Sequence, residues 1–598
     1  MFSATMTFLT KFSSVFLPLF LCIFCIWFYH SSVQFDFHYV DDQEYVELNS
    51  DIKNLNLESV QNWFRKDYVL MYVPLTICSF AFDYHFWRLN PSGYRMTNIA
   101  LHTISVLLVY VILFYLVQNR AIAFLVALLF AAHPVQIESV VWISERKNVL
   151  STIFFLLCVL SYRKSKFWMC CASFLCAILS KPNTVVLPLL LIASDWFYSP
   201  AFPNRKRNVL IGFMTVCALF LFVYMIQINH ETEINFRGGS VLINTYVMLT
   251  VFFRYIGLLI FPGSQQLYYL TKVYDSWADP IVLSSMIGFV SLLGIAFWLL
   301  IKKEKIGFWI LWFLITLLPT SNFFVPMGSL MHDRYLYLPI IGFFAIPLIL
   351  IRKLLTRFKL ATIFRLLLLT ATLSVVCSYT ALAHQRLSLW GRSPDLWAHD
   401  VLKSKYPDAR LLLGLASELA ATKKPEIAIQ QFETINSVFG DLEAKLRQTA
   451  YLMTLNRFDD VKRNLDAIDV DKISQSRYWL GFYYDMHGRY WSKLNDMERA
   501  GEYFHKSLAI SKQTPVSIHL AEIYFVRRQV GDAIKTLQDA LQLDPDSQEL
   551  LTRLCSYLLD ERRYEEAFLI YERLRVLYPE NQLVGHISKQ IALQLQKD

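Results

Sequence analysis

Residues 279–301 read DPIVLSSMIGFVSLLGIAFWLLI, a run of 23 residues whose only charged side chain belongs to Asp279. Such a run is long enough to cross the hydrocarbon core of a bilayer as one helix, which needs about 20 residues. The basic segment KKEK, residues 302–305, follows at once. Because Lys and Arg concentrate in the cytoplasmic connectors of membrane proteins, the sequence predicts a membrane helix that ends on the cytoplasmic side.

The first two thirds of the 598-residue chain repeat this pattern. Hydrophobic residues make up 55% of the chain and charged residues 18%, whereas soluble proteins carry about 25% charged residues. This composition excludes a disordered chain and a wholly soluble enzyme. The sequence predicts an all-α, polytopic membrane domain over residues 1–388 with about eleven crossings, the further candidate helices being 8–29, 96–117, 120–133, 148–162, 166–180, 184–198, 208–226, 306–319, 335–351 and 361–383.

Basic residues fall in alternate connectors between these runs, which places those connectors in the cytoplasm. The N-terminus is then cytoplasmic, and loop 30–95 and the chain after residue 385 face outward. The stretch 241–261 would break the alternation if it crossed, and it carries Arg254 inside an apolar run, where a lipid-facing charge is unfavourable. It is therefore predicted to be re-entrant or to lie along the interface. The basic connectors contain Arg163, Lys164 and Lys166; Arg205, Lys206 and Arg207; Lys302, Lys303 and Lys305; and Arg352, Lys353, Arg357 and Lys359.

Residues 389–598 are polar and repetitive. At five places a small or β-branched residue is followed four positions later by an apolar one, with spacings of 33, 39, 33 and 34 residues. The tetratricopeptide period is about 34 residues, so these spacings indicate such repeats with an insertion between the second and third. We expect an extracytoplasmic α-solenoid whose groove binds a protein or peptide; a capping or dimerising solenoid is the alternative. The five pairs are Ala428/Phe432, Val461/Leu465, Ala500/Phe504, Ala533/Leu537 and Ala567/Tyr571.

Loop 30–95 contains two adjacent carboxylates, Asp41 and Asp42, flanked by aromatic residues. A carboxylate pair just beyond a membrane helix can act as a general base and its orienting partner. The alternative is that the two Asp residues belong to an ordinary acidic loop without a catalytic role. The rest of the loop is predicted to form amphipathic helices that lie at the membrane interface.

The next outward connector contains His133, Glu138 and Arg146. On one continuous helix Glu138, Trp142 and Arg146 would share a face, as they would on a solvent-exposed charged helix. A His and a Glu near two Asp residues can bind a divalent cation. Such a cation is therefore possible here, and no other cofactor is predicted.

Three further cations lie at the outward ends of apolar runs: Lys181, Arg254 and Arg334. Basic side chains at this depth commonly anchor a helix to lipid headgroups. The same charges can neutralise an anionic leaving group. Arg254 is the hardest to explain as an anchor, because it lies inside its apolar run.

The order of these segments resembles that of a known family. The adjacent carboxylates after the first helix and the Tyr-x-Pro-Leu run at 72–75 resemble the opening of the membrane-embedded GT-C glycosyltransferases, and residues 93–102 are similar to their second helix. Further segments resemble the transmembrane and tetratricopeptide-repeat-containing protein O-mannosyltransferases and their bacterial relatives. These are His133-Pro134 with Glu138 and Arg146, Ser180-Lys181, Arg254-Tyr255 with Phe261-Pro262, residues 334–339, and Trp390 with Leu396-Trp397.

This resemblance implies an inverting transferase that moves a sugar from a polyprenyl-phosphate-linked donor to a hydroxyl of a protein. The predicted topology agrees with it, since nucleotide sugars are made in the cytoplasm whereas the carboxylate loop faces outward. In that reading Asp41 is the general base and Asp42 orients it or the acceptor. The site would be lined by His133, Glu138 and Arg146, and the donor phosphate would be bound by Lys181, Arg254 and Arg334.

The sequence departs from the family pattern at three positions. Pro182 follows the lysine of the Ser-Lys segment where the family usually has Glu, Glu145 replaces a usual Gly, and Asp333 replaces a usual Glu. These departures bear on sugar specificity and leave the fold assignment intact. A transferase with a glycan or lipid acceptor, and an inactive membrane scaffold with a tetratricopeptide binding module, are the alternatives; the intact carboxylate pair argues against the scaffold.

The net charge of +9 is spread over the connectors, so nucleic acid is not an expected partner, whereas membrane lipids are. The sequence contains no Asn-x-Ser/Thr acceptor for N-glycosylation. This favours a bacterial inner membrane with the repeats in the periplasm over an endoplasmic reticulum membrane with the repeats in the lumen.

Overall fold

The computed structural model of the protein is helical, as the sequence predicts. It describes residues 2–578 apart from 39–40, 54, 56, 70, 232–235, 358–361, 405–408, 422–424, 440–441, 475, 512–513, 544 and 546. Within these residues β structure is limited to an isolated bridge between Tyr68 and Met71. The chain divides into two compact units, unit 1 over residues 1–407 and unit 2 over residues 408–598.

Each apolar run that the sequence predicts as a spanning helix overlaps with a helix of unit 1. Among the described residues, the helices long and apolar enough to cross a membrane are Val15–Gln34, Pro91–Val117, Val241–Ile260, Pro280–Ile301 and Pro339–Arg357. Shorter apolar helices are Arg120–Ala132, Phe167–Ser180 and Ile306–Thr320. The number of crossings stays a prediction. The helices of unit 1 are α1 (Phe2–Tyr29), α2 (Leu57–Arg65), α3 (Pro74–Trp87), α4 (Pro91–Val117), α5 (Arg120–Ala132), α6 (Gln136–Val141), α7 (Arg146–Arg163), α8 (Phe167–Ser180), α9 (Leu187–Tyr198), α10 (Asn204–Glu231), α11 (Val241–Ile260), α12 (Pro280–Ile301), α13 (Ile306–Leu317), α14 (Pro339–Arg357), α15 (Thr362–Trp390) and α16 (Ser393–Lys403).

The stretch 241–261 forms one continuous helix, α11. Ser240 caps its start by accepting a hydrogen bond from the backbone N–H of Ile243 at 3.1 Å. The helix ends before Pro262, because the residue preceding a proline is disfavoured in helical conformation. Twenty residues cover about 30 Å of rise, which equals the thickness of the hydrocarbon core. Its length permits a crossing, so the re-entrant course stays a prediction.

The connector between α5 and α7 is not a single helix. α6 ends at Val141, and the next residue, Trp142, has an extended ψ of 116°. A 3₁₀ turn, Ile143–Glu145, follows, and α7 begins at Arg146. The prediction that Glu138 and Arg146 share one helix face is therefore wrong, because the chain turns between them.

The basic connectors meet at one end of the helices of unit 1. Lys353 pairs with Glu304 at 2.9 Å, and Lys303 lies 4.9 Å over the ring of Trp196. Ser165 donates a hydrogen bond to the carbonyl oxygen of Ala201. We call this region, formed by residues 163–166, 198–207, 302–305 and 352–357, the basic end. Its position on the cytoplasmic side of a membrane stays a prediction.

At one position α13 and α14 pack too closely for any residue but glycine. A Cβ atom at Gly342 would lie 2.6 Å from the carbonyl oxygen of Trp309 and 2.9 Å from the backbone nitrogen of Phe313. Small residues let membrane helices approach closely and gain van der Waals contact. This contact fixes the two helices that flank residues 318–338.

Unit 2 consists of antiparallel helix pairs that stack in chain order. The ten residues of the sequence repeats lie in the second helix of each pair, and all ten are buried. The short helix α21 lies between the second and third pairs, where the sequence predicts an insertion. The predicted tetratricopeptide solenoid is therefore confirmed over the described residues. Its helices are α17 (Ala409–Ala421), α18 (Pro425–Phe439), α19 (Leu442–Thr454), α20 (Phe458–Asp466), α21 (Val470–Ile473), α22 (Arg477–Lys493), α23 (Met497–Ile510), α24 (Thr514–Val526), α25 (Val530–Leu543), α26 (Gln548–Asp560) and α27 (Tyr564–Leu577).

The packing of α13 against α14 makes a prediction for Gly342→Ala. The added methyl group must push the two backbones apart, because its neighbours are backbone atoms that cannot rotate away. Overpacking of this kind typically costs about 1–3 kcal/mol. We expect a lower melting temperature of the purified protein in detergent. Gly294→Ala in α12 is the control, since nothing lies within 4 Å of its added Cβ; equal melting temperatures of the two variants would contradict the prediction.

Candidate active site

Asp42 clamps loop 30–95 to the turn that precedes α7. Its side chain is fully buried, and its two carboxylate oxygens accept hydrogen bonds from the backbone N–H groups of His38 at 3.0 Å and Ser144 at 2.9 Å. Burial raises the pKa of Asp42 to about 6, although Arg95 and the two N–H donors act in the opposite direction. An enclosed carboxylate with both oxygens occupied is placed to orient its neighbours rather than to meet a substrate.

Asp41, the residue before Asp42, has an uncommon backbone conformation. Its φ of 62° is left-handed, a region that Asp and Asn tolerate better than most residues. The side chain is half-buried, and its charge acts on Lys147 and Tyr45. Backbone strain that is held in place by a buried contact is common at functional sites. Asp41 is thus the accessible carboxylate of the pair.

Glu145 is the centre of a buried charge cluster, which we define as Glu138, Glu145, Lys147, Lys181 and Arg334. Lys147 Nζ lies 3.0 Å from Oε1 of Glu145, and Arg334 Nε lies 3.3 Å from the same oxygen. Lys181 Nζ lies 3.4 Å from Oε2. Three cations face two carboxylates, so the charge cluster carries one excess positive charge. Glu145, which departs from the family pattern, is therefore the residue that contacts all three cations of the charge cluster.

Glu138 holds Arg334 on the other side of the charge cluster. Its Oε1 accepts a hydrogen bond from the guanidinium group, and its Oε2 accepts one from the backbone N–H of Arg334 at 3.1 Å. Aromatic rings flank the cations, with Arg334 lying 5.1 Å over Trp142 and Lys147 lying 4.6 Å over Tyr45. Cations over ring faces gain electrostatic stabilisation where water is scarce.

Asn148 completes the hydrogen bonding of the charge cluster. Its amide nitrogen donates to Oε2 of Glu145 at 2.9 Å and to the carbonyl oxygen of Arg334 at 3.2 Å. Its amide oxygen accepts a hydrogen bond from Lys181 Nζ at 2.7 Å. Buried charges need such additional partners, because ion pairing alone seldom offsets their desolvation.

Burial and mutual charge act differently on the members of the charge cluster. Burial alone raises the pKa of the Glu145 carboxyl, but Lys147, Lys181 and Arg334 outweigh it and hold that pKa below its ordinary value. For Lys181 burial prevails and lowers the pKa to about 8, with Glu145 opposing this and the neighbouring cations adding to it. Lys181 therefore titrates close to neutral pH, and a bound anion would stabilise its charged form.

A small cavity is lined by Lys181 and Arg334. Its wall includes hydroxyl groups from α7, from the segment after Lys181 and from α13 and the turn that follows it. With a volume of about 30 Å³, it has room for water but not for a sugar, so a sugar donor could enter only if side chains moved. The hydroxyl groups belong to Ser151, Thr152, Thr184, Thr316 and Thr320.

Arg146 and His133 lie outside the charge cluster. Arg146 is fully buried and donates hydrogen bonds to Asp83 at 2.5 Å and to Asn98 at 2.7 Å. His133 ends α5; its Nδ1 accepts a hydrogen bond from the backbone N–H of Val135 at 3.2 Å, which leaves Nε2–H to donate to Leu259 O at 3.2 Å. These contacts give both residues architectural roles, and their predicted place in the active-site lining stays a prediction.

Arg254 is separated from the charge cluster by the loop that follows α11. Its guanidinium group donates a hydrogen bond to the carbonyl oxygen of Leu270 at 2.6 Å and lies 5.1 Å over the ring of Tyr269. The Tyr269 hydroxyl donates in turn to Asp333, the neighbour of Arg334. Of the three predicted phosphate-binding cations, the structure brings Lys181 and Arg334 together. Arg254 lies outside the charge cluster, with Tyr269 and Asp333 between it and Arg334.

The residues proposed for a divalent cation do not converge. Glu138 binds Arg334, His133 binds the end of α11, and Asp42 binds two backbone N–H groups. Over the described part of the chain, no three His, Cys, Asp or Glu side chains are grouped so that they could hold a metal ion.

Lys147 and Asn148 are members of the site that the sequence did not single out. Both follow the helix break at Trp142, and both lie at the start of an apolar helix. The signal available in the sequence was the run Glu145-Arg146-Lys147-Asn148, four polar residues directly before an apolar run. At the start of a helix, the side chains of consecutive residues are directed to different sides. For this reason Lys147 and Arg146 join different charge networks.

The clamp makes a prediction for Asp42→Asn. The amide can accept only one of the two hydrogen bonds, and its NH₂ group would face the backbone N–H of His38 or Ser144. A buried unsatisfied donor costs about 1–3 kcal/mol. We expect a lower melting temperature and faster proteolysis within loop 30–95. Asp36→Asn, at an exposed position of the same loop, is the control and should behave like the wild type.

The pH dependence of stability reports the burial of Asp42. Because burial raises the pKa of Asp42 to about 6 from about 3.9 in the unfolded chain, the contribution of its protonated form to stability is fully present below pH ~3.9 and is lost as the pH rises through about 6. This pH dependence should vanish in Asp42→Asn. An unchanged melting temperature of that variant would contradict the clamp, and an unchanged pH profile would contradict the raised pKa of Asp42.

Three comparisons relate this chain to known proteins. No protein-family model matches the sequence. An alignment of 323 positions that covers 51% of the chain is 27% identical to the protein O-mannosyl-transferase F38B6.6 of Caenorhabditis elegans and covers 45% of that protein. Shorter matches include Tmtc3 of Drosophila melanogaster, 32% identical over 24% of this chain and 19% of that protein, and TMTC3 of Mus musculus, 38% identical over 16% and 10%.

The solved structures that match include tetratricopeptide proteins. The thermophilic protein TTC0263 of Thermus thermophilus matches with a TM-score of 0.26 and 17% identity, over 31% of this chain and 100% of that one. A TM-score this low carries no argument, and the solenoid rests on the repeats and their buried pairs.

The chain spans less than half the length of the curated relatives it matches. These relatives share the name protein O-mannosyl-transferase. The sequence segments and these relatives together show that the chain resembles the TMTC protein O-mannosyl-transferases.

Proposed function

We propose that the chain is an inverting glycosyltransferase that moves a sugar, mannose in its named relatives, from a polyprenyl-phosphate-linked donor to a hydroxyl of a protein. The relatives named protein O-mannosyl-transferases support the class of reaction. The observation that carries the proposal is the charge cluster, with its excess positive charge, close to the half-buried Asp41. A base beside a set of cations suits transfer from an anionic leaving group.

In the proposed reaction the Asp41 carboxylate takes the proton of the acceptor hydroxyl while the hydroxyl oxygen bonds to the anomeric carbon. The bond between the anomeric carbon and the phosphate oxygen breaks, and its electron pair leaves with the lipid phosphate. A single displacement inverts the anomeric configuration. The leaving phosphate passes from a diester to a monoester and gains negative charge, which Lys147, Lys181 and Arg334 would stabilise as it develops.

Glu145 and Glu138 would hold these cations ready before the donor arrives. Cations that are already fixed in a buried site need little reorganisation when charge develops, and this is how preorganised sites lower a barrier. Asp42 would keep Asp41 in place through its bonds to His38 and Ser144. Arg254 would contribute through the loop that carries Tyr269, next to Asp333.

The solenoid of unit 2 would bind the acceptor protein. Polar pairs join the first helices of successive repeats, with Asp485 3.2 Å from His519 and Arg553 2.7 Å from Glu522. Stacked repeats of this kind offer an extended groove to a peptide. The proposal places unit 2 and loop 30–95 outside the cytoplasm, in the periplasm of a bacterium, or in the lumen if the membrane is that of the endoplasmic reticulum.

Asp41→Asn tests the proposed base. Asn tolerates the left-handed backbone of position 41 but cannot take up a proton, so we expect turnover to fall by about 10²-fold or more. Donor binding should persist, because the phosphate is held by the cations. The measurement is transfer from a polyprenyl-phosphate mannose to a protein acceptor, alongside donor binding, on purified protein.

Glu44→Gln is the matched control for this experiment. Glu44 lies three residues further along the same loop, is exposed, and is close enough to Asp41 for their charges to interact. It should keep nearly normal turnover. Near-normal transfer by Asp41→Asn would remove Asp41 from the mechanism, and absence of transfer by the wild-type protein with any lipid-linked sugar would contradict the proposed function.

Lys181 makes the proposed donor binding dependent on pH. Burial lowers its pKa to about 8, so its charge is lost as the pH rises through that value, whereas a phosphodiester stays singly charged. We expect donor affinity to fall between pH 7 and 9, measured in Asp41→Asn to prevent turnover. Lys181→Arg should flatten this profile, because arginine stays protonated.

Lys164→Arg is the control for the pH profile, since Lys164 is exposed at the basic end. It should keep the wild-type dependence on pH. A profile for Lys181→Arg as steep as that of the wild type would show that another group causes the change.

A further inference from the structure

We propose that the basic end of unit 1 contains a binding site for an anionic glycerophospholipid, in a cavity bounded by the end of α9, the start of α10 and the end of α12. The cavity has a volume of about 570 Å³. α9 begins six residues after Lys181 and ends at Tyr198, and its twelve residues span about 18 Å. The site is therefore separate from the charge cluster and does not depend on the proposed function.

Two cations line the polar part of this cavity, Arg207 of α10 and Lys303 just after α12. Lys303 lies over the Trp196 ring, and within the described part of the chain neither cation has a carboxylate within ion-pair distance, unlike Lys353 nearby, which pairs with Glu304. An unpaired positive charge in a cavity of this size calls for an anionic ligand.

Asp195 also lines the cavity, but its charge is already compensated. Arg163 lies 3.4 Å from its Oδ1, and the Tyr162 hydroxyl donates a hydrogen bond to its Oδ2 at 2.6 Å. The backbone N–H of Ala201 donates to Oδ1 at 3.1 Å. With three partners Asp195 fixes the shape of the cavity wall and leaves Arg207 and Lys303 available to a ligand.

The other wall of the cavity is apolar and leads onto the outer surface of the helices. Ile192 and Trp196 are 52% and 48% exposed, and the stripe continues along α9 to Leu189, which is 50% exposed. The indole N–H of Trp196 donates to the carbonyl oxygen of Leu300 at 2.8 Å, which fixes the ring at the level where α12 ends. Trp at this level and cations just beyond it are the usual surroundings of a lipid headgroup.

This combination favours a phospholipid over free phosphate. Inorganic phosphate would use the cations and leave the exposed apolar stripe without a partner. A glycerophospholipid places its phosphate against Arg207 and Lys303 and its acyl chains along α9. Basic pockets between membrane helices on the cytoplasmic side are known to take up acidic lipid headgroups.

The test uses the full-length protein, purified in detergent, and titrates it with dioleoyl phosphatidylglycerol while bound lipid is counted by native mass spectrometry. The variant is Arg207→Gln with Lys303→Gln, and the matched control is Lys206→Gln with Lys302→Gln, which removes the same charge from exposed neighbours outside the cavity. Each Lys or Arg near a membrane surface is worth about fivefold in affinity, so we expect about 25-fold weaker binding for the site variant. The control variant should lose much less.

Three outcomes of the titration would overturn the proposal. These are an equal loss of phosphatidylglycerol affinity in both double variants, equally tight binding of dioleoyl phosphatidylcholine by the wild-type protein, and no loss of affinity in the site variant. Protection against thermal unfolding by inorganic phosphate as strong as that by phosphatidylglycerol would also overturn it, since the ligand would then be the phosphate group alone. An unchanged melting temperature of the site variant without added lipid shows that it is folded. If that temperature falls, protection of the wild-type protein by phosphatidylglycerol, but by neither phosphatidylcholine nor phosphate, still decides the question.

Discussion

A carboxylate buried inside a helical membrane domain must be met by positive charge, and Glu145 imposes this requirement on unit 1. Left alone, such a group would cost several kcal/mol to desolvate. The cations that meet it come from three separate places: Lys147 at the start of α7, Lys181 after α8, and Arg334 before α14. Ion pairing therefore ties these three segments to one another.

The same requirement links the architecture to the proposed chemistry. A second carboxylate, Glu138, still leaves the charge cluster with one positive charge in excess, and an anionic group is the natural complement of that excess. Asp42, buried between two backbone N–H groups, brings the neighbouring Asp41 within electrostatic reach of Lys147. The proposed proton acceptor and the proposed anion site are thus positioned by two independent buried carboxylates, neither of which needs to touch a substrate.

The two units are stabilised in different ways. Unit 1 exposes large apolar side chains along its helices, such as Phe297 at 64% exposed, and keeps its charged network inside. That arrangement is stable where the surrounding solvent is lipid. Unit 2 does the reverse: each helix pair buries a small residue and an apolar one four positions later, as at Ala500 and Phe504.

The sequence by itself determined the helices, their repeat and the grouping of basic connectors, because apolar runs, a period of about 34 residues and charge between runs are all local properties. It also identified Glu138, Lys181 and Arg334 as candidates, since charges beside apolar runs are unusual. Their partners were decided only by the tertiary structure: Glu138 meets Arg334 across 196 residues, while Arg146, next to Glu145 in sequence, pairs with Asp83 instead. The physical reason is that a buried charge binds whichever opposite charge the packed helices bring to it. The helix break at Trp142 directs Glu138 and Arg146 to different partners, and no local sequence pattern predicts this break.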